Sequence, residues 1–184
     1  MLGSTQPDDH LDRAACDAVG VEVVRRRSGG GAVLLVPGRS VWVDVTIGSD
    51  DPLWDDDVGR AAHWVGESWA RAVAALGADG AQVHTGPIIE TRWSRRVCFA
   101  GVGPGEVLVG GRKLVGVSQR RTRAAARFQC AVHRVWDPVG LLGLLALHEG
   151  DRARGLVELA AVATGLDVPA ASLTAALEAS LPDP

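Results

Sequence analysis

Apolar and polar residues alternate through much of the chain and recur at a helical period towards its end. The segment 41–47 shows the alternation typical of a half-buried strand. Strands are predicted over residues 21–27, 32–36, 41–47, 81–84, 96–100, 106–109, 112–119 and 126–135. Helices are predicted over residues 55–76, 138–147, 151–165 and 170–181. The pattern therefore predicts a mixed α/β fold in which the last helices pack back on a sheet.

The longest predicted helix carries a single apolar stripe. Trp64, Trp69 and Val73 recur along it at helical spacing, which is typical of a face packed in the core. The aspartates of the acidic run 50–57 are interpreted as caps and dipole partners at the start of this helix, and Gly77 as its end. Because capping accounts for these carboxylates, no metal ligand is predicted.

Two glycine-rich turns separate predicted strands. Gly110 and Gly111 supply the positive φ angles of a two-residue hairpin turn. Residues 28–31, Ser-Gly-Gly-Gly, form the second turn, named here the glycine loop, and three arginines precede it. Consecutive glycines let backbone N–H groups approach a ligand, and arginines pair with carboxylates or phosphates. Both a loop that binds an acyl group or a nucleotide and a plain turn with solvated arginines fit this pattern.

Size and charge narrow the classes of function. The 184 residues suit one domain, predicted to span 1–184 with a helical C-terminal part from about 138. A net charge of −3 argues against binding a nucleic acid or a membrane surface through bulk charge. Cys16, Cys98 and Cys130 lack the spacing of a zinc site, and no signal peptide is recognisable. A cytoplasmic protein with free thiols is predicted.

Lysine occurs once in the chain, and the other eighteen of the nineteen lysines and arginines are arginine. Compositional drift explains the absence of other lysines, yet a compact ammonium can occupy a site that a planar guanidinium cannot. Lys113 begins a predicted strand, directly after the glycine pair of the hairpin. Cys98 lies fifteen positions earlier, where a nearby ammonium would favour a thiolate nucleophile. A cysteine between Val97 and Phe99 is more often a small buried apolar side chain, and from these residues alone both interpretations stay open.

Two motifs together resemble those of one superfamily. Residues 23–33, Val-Val-Arg-Arg-Arg-Ser-Gly-Gly-Gly-Ala-Val, and 111–119, Gly-Arg-Lys-Leu-Val-Gly-Val-Ser-Gln, are similar to motifs of lipoate-protein ligase A, octanoyltransferases and biotin-protein ligases. The resemblance extends roughly over 2–165. It implies a sheet with packed helices of the class II aminoacyl-tRNA synthetase and biotin/lipoate ligase type, with Lys113 as the central catalytic group. The acyl- or adenylate-binding residues it implies are Arg25, Arg26, Ser28, Gly29, Gly30, Gly31, Ala32, Gly116 and Ser118.

The resemblance implies that a lipoyl or octanoyl group is placed on a lysine of a lipoyl domain, by one of two routes. A lipoate-protein ligase would use ATP and Mg²⁺ to form an acyl-adenylate, and the uninterrupted glycines of the loop favour this first interpretation. In an octanoyltransferase, which needs no cofactor, Cys98 would take the acyl group from acyl carrier protein as a thioester, with Lys113 holding the thiolate. A non-catalytic acyl-binding remnant is the third interpretation.

The resemblance also implies partners. The acceptors would be lipoyl domains of 2-oxoacid dehydrogenases or the glycine cleavage H protein, and the acid would be lipoate or octanoate. A basic cluster could dock an acidic carrier or acceptor, or be a solvated strand edge. Its members are Arg120, Arg121, Arg123 and Arg127. His84 and His133 are interpreted as packed or surface histidines rather than general bases.

Both ends of the chain depart from the pattern of the superfamily. Residues 2–6 resemble a stretch normally reached after a first helix and strand, so further residues are expected upstream. Residues 138–184 suffice for a few helices, whereas ligases usually carry a separate accessory domain that assists adenylation. An ATP-dependent version is therefore expected to need an accessory subunit.

Overall fold

A computed structural model describes residues 1–182 of the chain. The strands are β1 (Ser40–Gly48), β2 (Gln82–Val83), β3 (Val107–Val109), β4 (Arg112–Arg121) and β5 (Ala125–His133). The α-helices are α1 (Arg13–Ala18), α2 (His63–Ala75), α3 (Pro138–Gly143), α4 (Glu149–Ala160) and α5 (Ala170–Glu178). Short 3-10 turns cover Asp8–His10, Arg60–Ala62 and Cys98–Ala100. The predicted mixed α/β class is confirmed.

The strands form one antiparallel sheet in the order β1-β5-β4-β3-β2. The predicted hairpin of β3 and β4 is confirmed. Gly110 and Gly111 make its turn with φ angles of 56° and 74°, a region that glycine enters without a Cβ penalty. This hairpin places the N-terminal end of β4, where Lys113 lies, beside β3.

One face of the sheet carries the hydrophobic core, and the opposite face carries the candidate site. Val41, Phe128 and Val115 pack in the core with Trp69 of α2 and Leu173 of α5. On the opposite face, the register aligns Ser40, Trp42, Asp44 and Thr46 of β1 with His133, Ala131, Gln129 and Arg127 of β5. The same β5 face continues onto β4 through the pairs Gly116–Ala131, Ser118–Gln129 and Arg120–Arg127. This second face is called the site face below.

A β-bulge moves Lys113 to the site face. Val107 pairs with Val115 and Leu108 with Lys113, so Leu114 is the extra residue on β4. Strict alternation from Val115 would have turned Lys113 towards the core. Instead, Lys113 Cε lies 3.3 Å from the position that a Cβ on Gly116 would take. The bulge therefore brings the lysine beside the glycine of its own motif.

Helix α2 begins later than predicted, at His63. Asp55 and Asp57 lie before it in a loop, where their carboxylates pair with Arg60 at 3.0 and 3.3 Å. They also accept hydrogen bonds from loop N–H groups, so they cap this loop and the 3-10 turn rather than the first turn of α2. Gly77, with φ of 92°, follows the helix directly after Leu76, as predicted.

The predicted strands 21–27, 32–36 and 96–100 are wrong. These segments make isolated bridges, Leu2 with Arg25 and Ala32 with Val97, followed by the 3-10 turn that begins at Cys98. Leu2, Ala32 and Val97 are instead buried in a second apolar cluster with Leu142 and Leu159. A strand needs a partner edge along its length, and each of these bridges joins one residue to one residue: segment 21–27 to Leu2, and segment 32–36 to segment 96–100.

The C-terminal helices are confirmed in number, but each is shorter than predicted. The connection after α4 pairs with the start of β4, since Lys113 N–H donates to Val162 O and Thr164 N–H to Lys113 O, each at 2.9 Å. Residues 183–184 of the predicted helical part lie outside the described residues. None of the helices in 1–182 is long and apolar enough to cross a bilayer.

Candidate active site

The glycine loop lies against the site face and is tied to it by Ser28. Ser28 Oγ lies 2.9 Å from Ser118 Oγ on β4 and donates to Gln129 Oε1 on β5 at 2.8 Å. A Cβ on Gly31 would lie 2.6 Å from Val97 N, so that position requires glycine. Gly30 has a φ of 97°, which favours glycine for its backbone conformation. The predicted residues Ser28, Gly29, Gly30, Gly31 and Ser118 are thus brought together.

Arg26 organises this loop from within. Its side chain is buried, with 5% of the residue exposed. Arg26 Nη2 donates to Gly29 O at 2.6 Å and to Gly31 O at 3.0 Å. Its Nη1 is buried and has no hydrogen-bond partner within residues 1–182. A buried guanidinium nitrogen without a partner is costly, and an anionic or carbonyl oxygen would satisfy it.

Cys98 lies beside this guanidinium. Its Sγ is 3.6 Å from Arg26 Nη2 and would be 3.2 Å from a Cβ on Gly30. Cys98 is partly exposed, whereas Cys16 and Cys130 are buried. Burial raises the pKa of the Cys130 thiol to about 12, which keeps that thiol protonated. Cys98 is therefore the cysteine placed at the glycine loop.

Lys113 is buried beneath the 3-10 turn Cys98–Ala100, called the Cys98 turn, and 1% of the lysine is exposed. Its Nζ forms an ion pair with Glu106 Oε1 at 2.7 Å and donates to Cys98 O and Gly101 O, each at 3.0 Å. These acceptors use all three donors of the ammonium. The resemblance implied that Lys113 holds the thiolate, but the structure places Nζ on the backbone oxygen of Cys98.

Glu106 is the partner that sequence reasoning missed. It is 4% exposed, and besides Lys113 it accepts hydrogen bonds from Gly103 N at 2.7 Å and Val117 N at 3.1 Å. Gln129 was also missed; it links Ser28 to Asp44, towards which its Nε2 donates at 3.2 Å. A carboxylate seven positions before the lone lysine was the available signal for Glu106.

The remaining predicted residues have supporting positions. Arg25 Nη1 donates to Gly3 O and Gln6 O, each at 2.7 Å, and its Nη2 pairs with Asp8, so it holds the N-terminal segment. Ala32 is buried and bridges to Val97. Gly116 lies under Phe99, whose Cε2 would be 3.2 Å from a Cβ there.

An open groove of about 370 Å³ runs along the site face from the arginines that precede the glycine loop. Five arginines line it: Arg25, Arg26, Arg27, Arg120 and Arg127. The predicted basic cluster is divided, because Arg121 lies on the core side, 4.0 Å from the centre of the Trp54 ring, and donates to Asp55 O at 2.6 Å. Arg123 lies outside the lining of the groove. We call this the arginine groove.

The two histidines singled out from the sequence differ in burial. His84 is partly exposed and its Nε2 lies 2.8 Å from Pro87 O. His133 is buried, and burial, with the nearby Lys113 charge second, lowers its pKa to about 4. Within residues 1–182, no three His, Cys, Asp or Glu side chains are grouped so that they could hold a metal ion.

The architecture is that of lipoate-protein ligases. The bi-partite lipoate protein ligase of Thermoplasma acidophilum, studied with its E2 lipoyl domain, matches with a TM-score of 0.74 at 18% identity, over 97% of this chain and 64% of that one. Lipoate-protein ligase A bound with ATP matches with a TM-score of 0.71 at 20% identity, over 97% of this chain and 65% of that one. At such identities the likeness shows the fold.

The sequence assigns the family. Residues 1–155 match the lipoyl protein ligase A/B catalytic domain, and the chain belongs to this enzyme family. Octanoyltransferase LipM of Clostridioides difficile (strain 630) is 25% identical over 114 residues, which are 62% of this chain and 41% of that protein. The chain thus spans about two fifths of the length of this relative. The superfamily inferred from two motifs is confirmed.

Proposed function

We propose that this chain is a cysteine-dependent acyltransferase that moves an octanoyl group from acyl carrier protein to a lysine of a lipoyl domain. The observation that carries the proposal is the position of Cys98 Sγ at the glycine loop, 3.6 Å from Arg26 Nη2. The similarity to an octanoyltransferase supports the same chemistry. We therefore favour the octanoyltransferase over the lipoate-protein ligase, which was the first interpretation of the sequence.

The reaction has two acyl transfers. Cys98, as the thiolate, attacks the thioester carbonyl of the carrier; a new C–S bond forms, the C–S bond to the carrier breaks, and the released thiolate takes up a proton. The neutral amine of the acceptor lysine then attacks the Cys98 thioester, an amide forms, and the sulfur leaves as a thiolate while the amine loses its proton. The thioester supplies the driving force, so no nucleotide is consumed.

Arg26 is placed to stabilise both steps. Each attack puts negative charge on the carbonyl oxygen, and preorganised donors aimed at that oxygen typically contribute a few kcal/mol. Arg26 Nη1 is buried and free of partners in the described chain. Its Nη2 lies beside the sulfur. In this proposal, Nη2 of the guanidinium lies beside the nucleophile, and the unpartnered Nη1 is the donor for the developing oxyanion.

Lys113 acts by positioning the nucleophile in this proposal. Its ammonium holds the carbonyls of Cys98 and Gly101, at the two ends of the 3-10 turn that carries the sulfur. Glu106 holds the ammonium in turn at 2.7 Å. The buried Lys113–Glu106 pair thereby fixes the conformation of this turn, and with it the direction in which the Cys98 side chain points.

A specific observation favours an ATP-dependent ligase as the second candidate. The arginine groove and the unpartnered Arg26 Nη1 suit a phosphate, and Arg26, Arg120 and Arg127 would hold it. Bound ATP with Mg²⁺ would supply the leaving group that activates the free acid. In this version Cys98 needs no role in bond making.

Incubating the intact chain with a lipoyl domain distinguishes these candidates. We expect octanoyl-acyl carrier protein, without ATP, to give a hydroxylamine-sensitive adduct on this chain and then an octanoylated acceptor, both read by intact mass. Acylation with lipoate or octanoate only when ATP-Mg is present would instead establish the ligase. No acylation under either condition would leave the acyl-binding remnant.

The arginine groove predicts how the acidic carrier docks. Exchanging Arg120 and Arg127 together for glutamine should raise KM for the carrier by about tenfold and reduce its salt dependence, with kcat little changed, because rim charges act mainly on association. Arg123→Gln, outside the groove lining, is the matched control and should behave as the parent. Equal KM and salt dependence in the groove variant and the control would remove the groove as the docking surface. Arg121 is unsuitable because it packs on Trp54.

A further inference from the structure

An open cleft of about 470 Å³ borders the glycine loop at Gly30 and shares no lining residue with the arginine groove. Its other walls come from the N-terminal segment 5–10 and from the segment 90–95, which precedes the Cys98 turn. Apart from one proline and Gly30 itself, the residues that line it have polar or charged side chains. We call this the Gly30 cleft, and it is a second polar approach to the glycine loop.

The Gly30 cleft meets the candidate nucleophile across a single glycine. A Cβ on Gly30 would lie 3.2 Å from Cys98 Sγ and 2.8 Å from Arg26 Nη2. Because glycine has no side chain, residue 30 contributes only its backbone between the cleft and the sulfur. A slim side chain that lies in the cleft can therefore bring its end to a group bound at Cys98.

Both walls of the cleft are tied to the segment that carries the sulfur. Ile89 and Val102, on either side of the Cys98 turn, exchange backbone hydrogen bonds of 2.8 and 3.0 Å. Gln6, in the N-terminal wall, is 5% exposed and its Nε2 donates to Arg96 O at 3.1 Å. The cleft is thereby held in a fixed position relative to Cys98.

The charges of the cleft suit an amine that arrives protonated and reacts neutral. Glu90 is an exposed carboxylate in the lining and attracts an ammonium. Arg95 in the lining, and Arg26 beyond Gly30, lower the pKa of an amine between them and so favour its neutral, nucleophilic form. Burial, with the Arg96 charge second, lowers the pKa of His10, so that ring adds no charge near pH 7.

Two further cavities beside Cys98 suit a lysine less well. Five arginines line the arginine groove, which repels an approaching ammonium. A cavity of about 220 Å³ next to Val97 is lined largely by apolar side chains, among them Phe99 and Trp136, where a charged amine would lose its hydration. The Gly30 cleft combines polar walls with a carboxylate.

An apolar patch beside the cleft offers contact area to a docking protein. Ile88 and Ile89 directly precede Glu90 and are 68% and 51% exposed. Apolar side chains surrounded by polar ones are typical of the centre of a protein–protein contact. The cleft volume of about 470 Å³ equals that of about fifteen water molecules in the liquid, which is room for a lysine side chain and the backbone next to it.

We propose that the Gly30 cleft receives the acceptor lysine, and that Glu90 and the two isoleucines contact the protein that presents it. The inference rests on the proposed acyl transfer and names where its second substrate enters. The ammonium gives its proton to water in the cleft, and the neutral amine attacks the acyl carbonyl on Cys98. A C–N bond forms, the C–S bond breaks, the sulfur leaves as a thiolate, and the proton lost by the attacking nitrogen passes to water.

The two half-reactions, measured separately by intact mass, test this assignment. Glu90→Lys repels the ammonium, and Thr5→Trp fills the cleft from its exposed N-terminal wall. Each should lower kcat/KM for transfer from the isolated adduct to the lipoyl domain by about tenfold or more, while adduct formation from octanoyl-acyl carrier protein changes less than about twofold. An equal or larger loss in adduct formation would assign the cleft to the carrier and overturn the proposal, as would parent rates in both steps.

Glu67→Lys and Ala171→Trp are the matched controls for these variants. Both positions are exposed and lie on α2 and α5, the helices that pack on the core face of the sheet. Each control makes the same type of change away from the cleft and should keep the parent rate in both steps. A loss of acceptor transfer in the controls equal to that in the cleft variants would also overturn the proposal.

A zero-length cross-link locates the acceptor lysine without turnover and so separates this proposal from the proposed function. A carbodiimide activates a carboxylate, and an amine in contact with it forms an amide as a urea leaves. With a lipoyl domain, the parent chain should give a cross-link between Glu90 and the acceptor lysine, and Glu90→Gln should lose it. This cross-link without any acyl transfer would reject the transferase and retain the cleft. Cross-links of that lysine to Asp44 on the site face, or none to Glu90, would reject the cleft.

Discussion

Cys98→Ala removes acyl transfer from the carrier, with an expected fall in kcat/KM of about 10⁴-fold or more, as is typical when a covalent nucleophile is lost. In the proposed transferase, the sulfur at the glycine loop accepts the acyl group, and the described site holds no second thiol near Arg26. The loss is measured as the disappearance of the hydroxylamine-sensitive adduct and of the octanoylated acceptor.

The control for this prediction is Cys16→Ala, which removes a buried thiol on α1 and should transfer acyl groups as the parent does. Circular dichroism and thermal unfolding of both variants check that the fold is retained. If Cys98→Ala keeps full activity with lipoate and ATP-Mg, the thioester route is eliminated and the ligase is the function.

Lys113→Met destabilises the protein strongly. The substitution leaves the Glu106 carboxylate buried without its cation at 2.7 Å, and it removes the donor from the carbonyls of Cys98 and Gly101. Breaking a buried ion pair by removing one partner typically costs about 3–5 kcal/mol. Urea or guanidinium unfolding, monitored by circular dichroism, measures the change in the free energy of unfolding.

A double substitution separates the charge from the packing. Glu106→Gln together with Lys113→Met removes the uncompensated carboxylate, while the one amide oxygen remains as an acceptor for either the Gly103 or the Val117 N–H group, which donate to different oxygens of Glu106. The double variant should therefore be more stable than Lys113→Met alone. A double variant as unstable as the sum of the two single changes would show that the ion pair does not couple these residues.

The same site explains why arginine is a poor replacement for this lysine. Lys113→Arg keeps the charge, but the larger planar guanidinium cannot occupy a site that is 1% exposed and meets three acceptors around a single nitrogen. We expect most of the activity to be lost with the Cys98 turn displaced. Parent activity in this variant would mean that the single lysine reflects composition alone.

The transferase and ligase candidates share this arrangement, and the role of one arginine differs between them. In the proposed transferase, Arg26 would contact a thioester oxygen beside Cys98; in the ligase candidate, it would contact a phosphate in the arginine groove. Arg26 also holds Gly29 O and Gly31 O, so its removal would disturb the loop in either case. Variants of Cys98 therefore distinguish the transferase from the ligase better than variants of Arg26 do.

Local sequence patterns predicted the parts of the fold whose partners are close in the chain. The hairpin at Gly110–Gly111 followed from its glycine pair, and the apolar stripe of α2 followed from its helical period. Segments 21–27, 32–36 and 96–100 contain apolar residues but are not strands, and several of these residues pack instead in the cluster around Leu2, among them Val23, Ala32, Leu34, Val97 and Ala100. Apolar composition reports burial, and only the presence of a pairing edge decides whether a buried segment is a strand.

The sequence by itself determined the family, the glycine loop and the candidate residues Lys113 and Cys98, because two short motifs and one hairpin turn are local features. The tertiary structure alone decided how those residues face one another. The bulge at Leu114 turns Lys113 onto the site face, and the register of β4 with β5 places Arg120 in the groove and leaves Arg121 on the core side. Side chains along a strand alternate between the two faces of the sheet, so one extra residue moves every side chain beyond it to the opposite face. Where the extra residue falls depends on the pairing with the neighbouring strand, which is a tertiary feature.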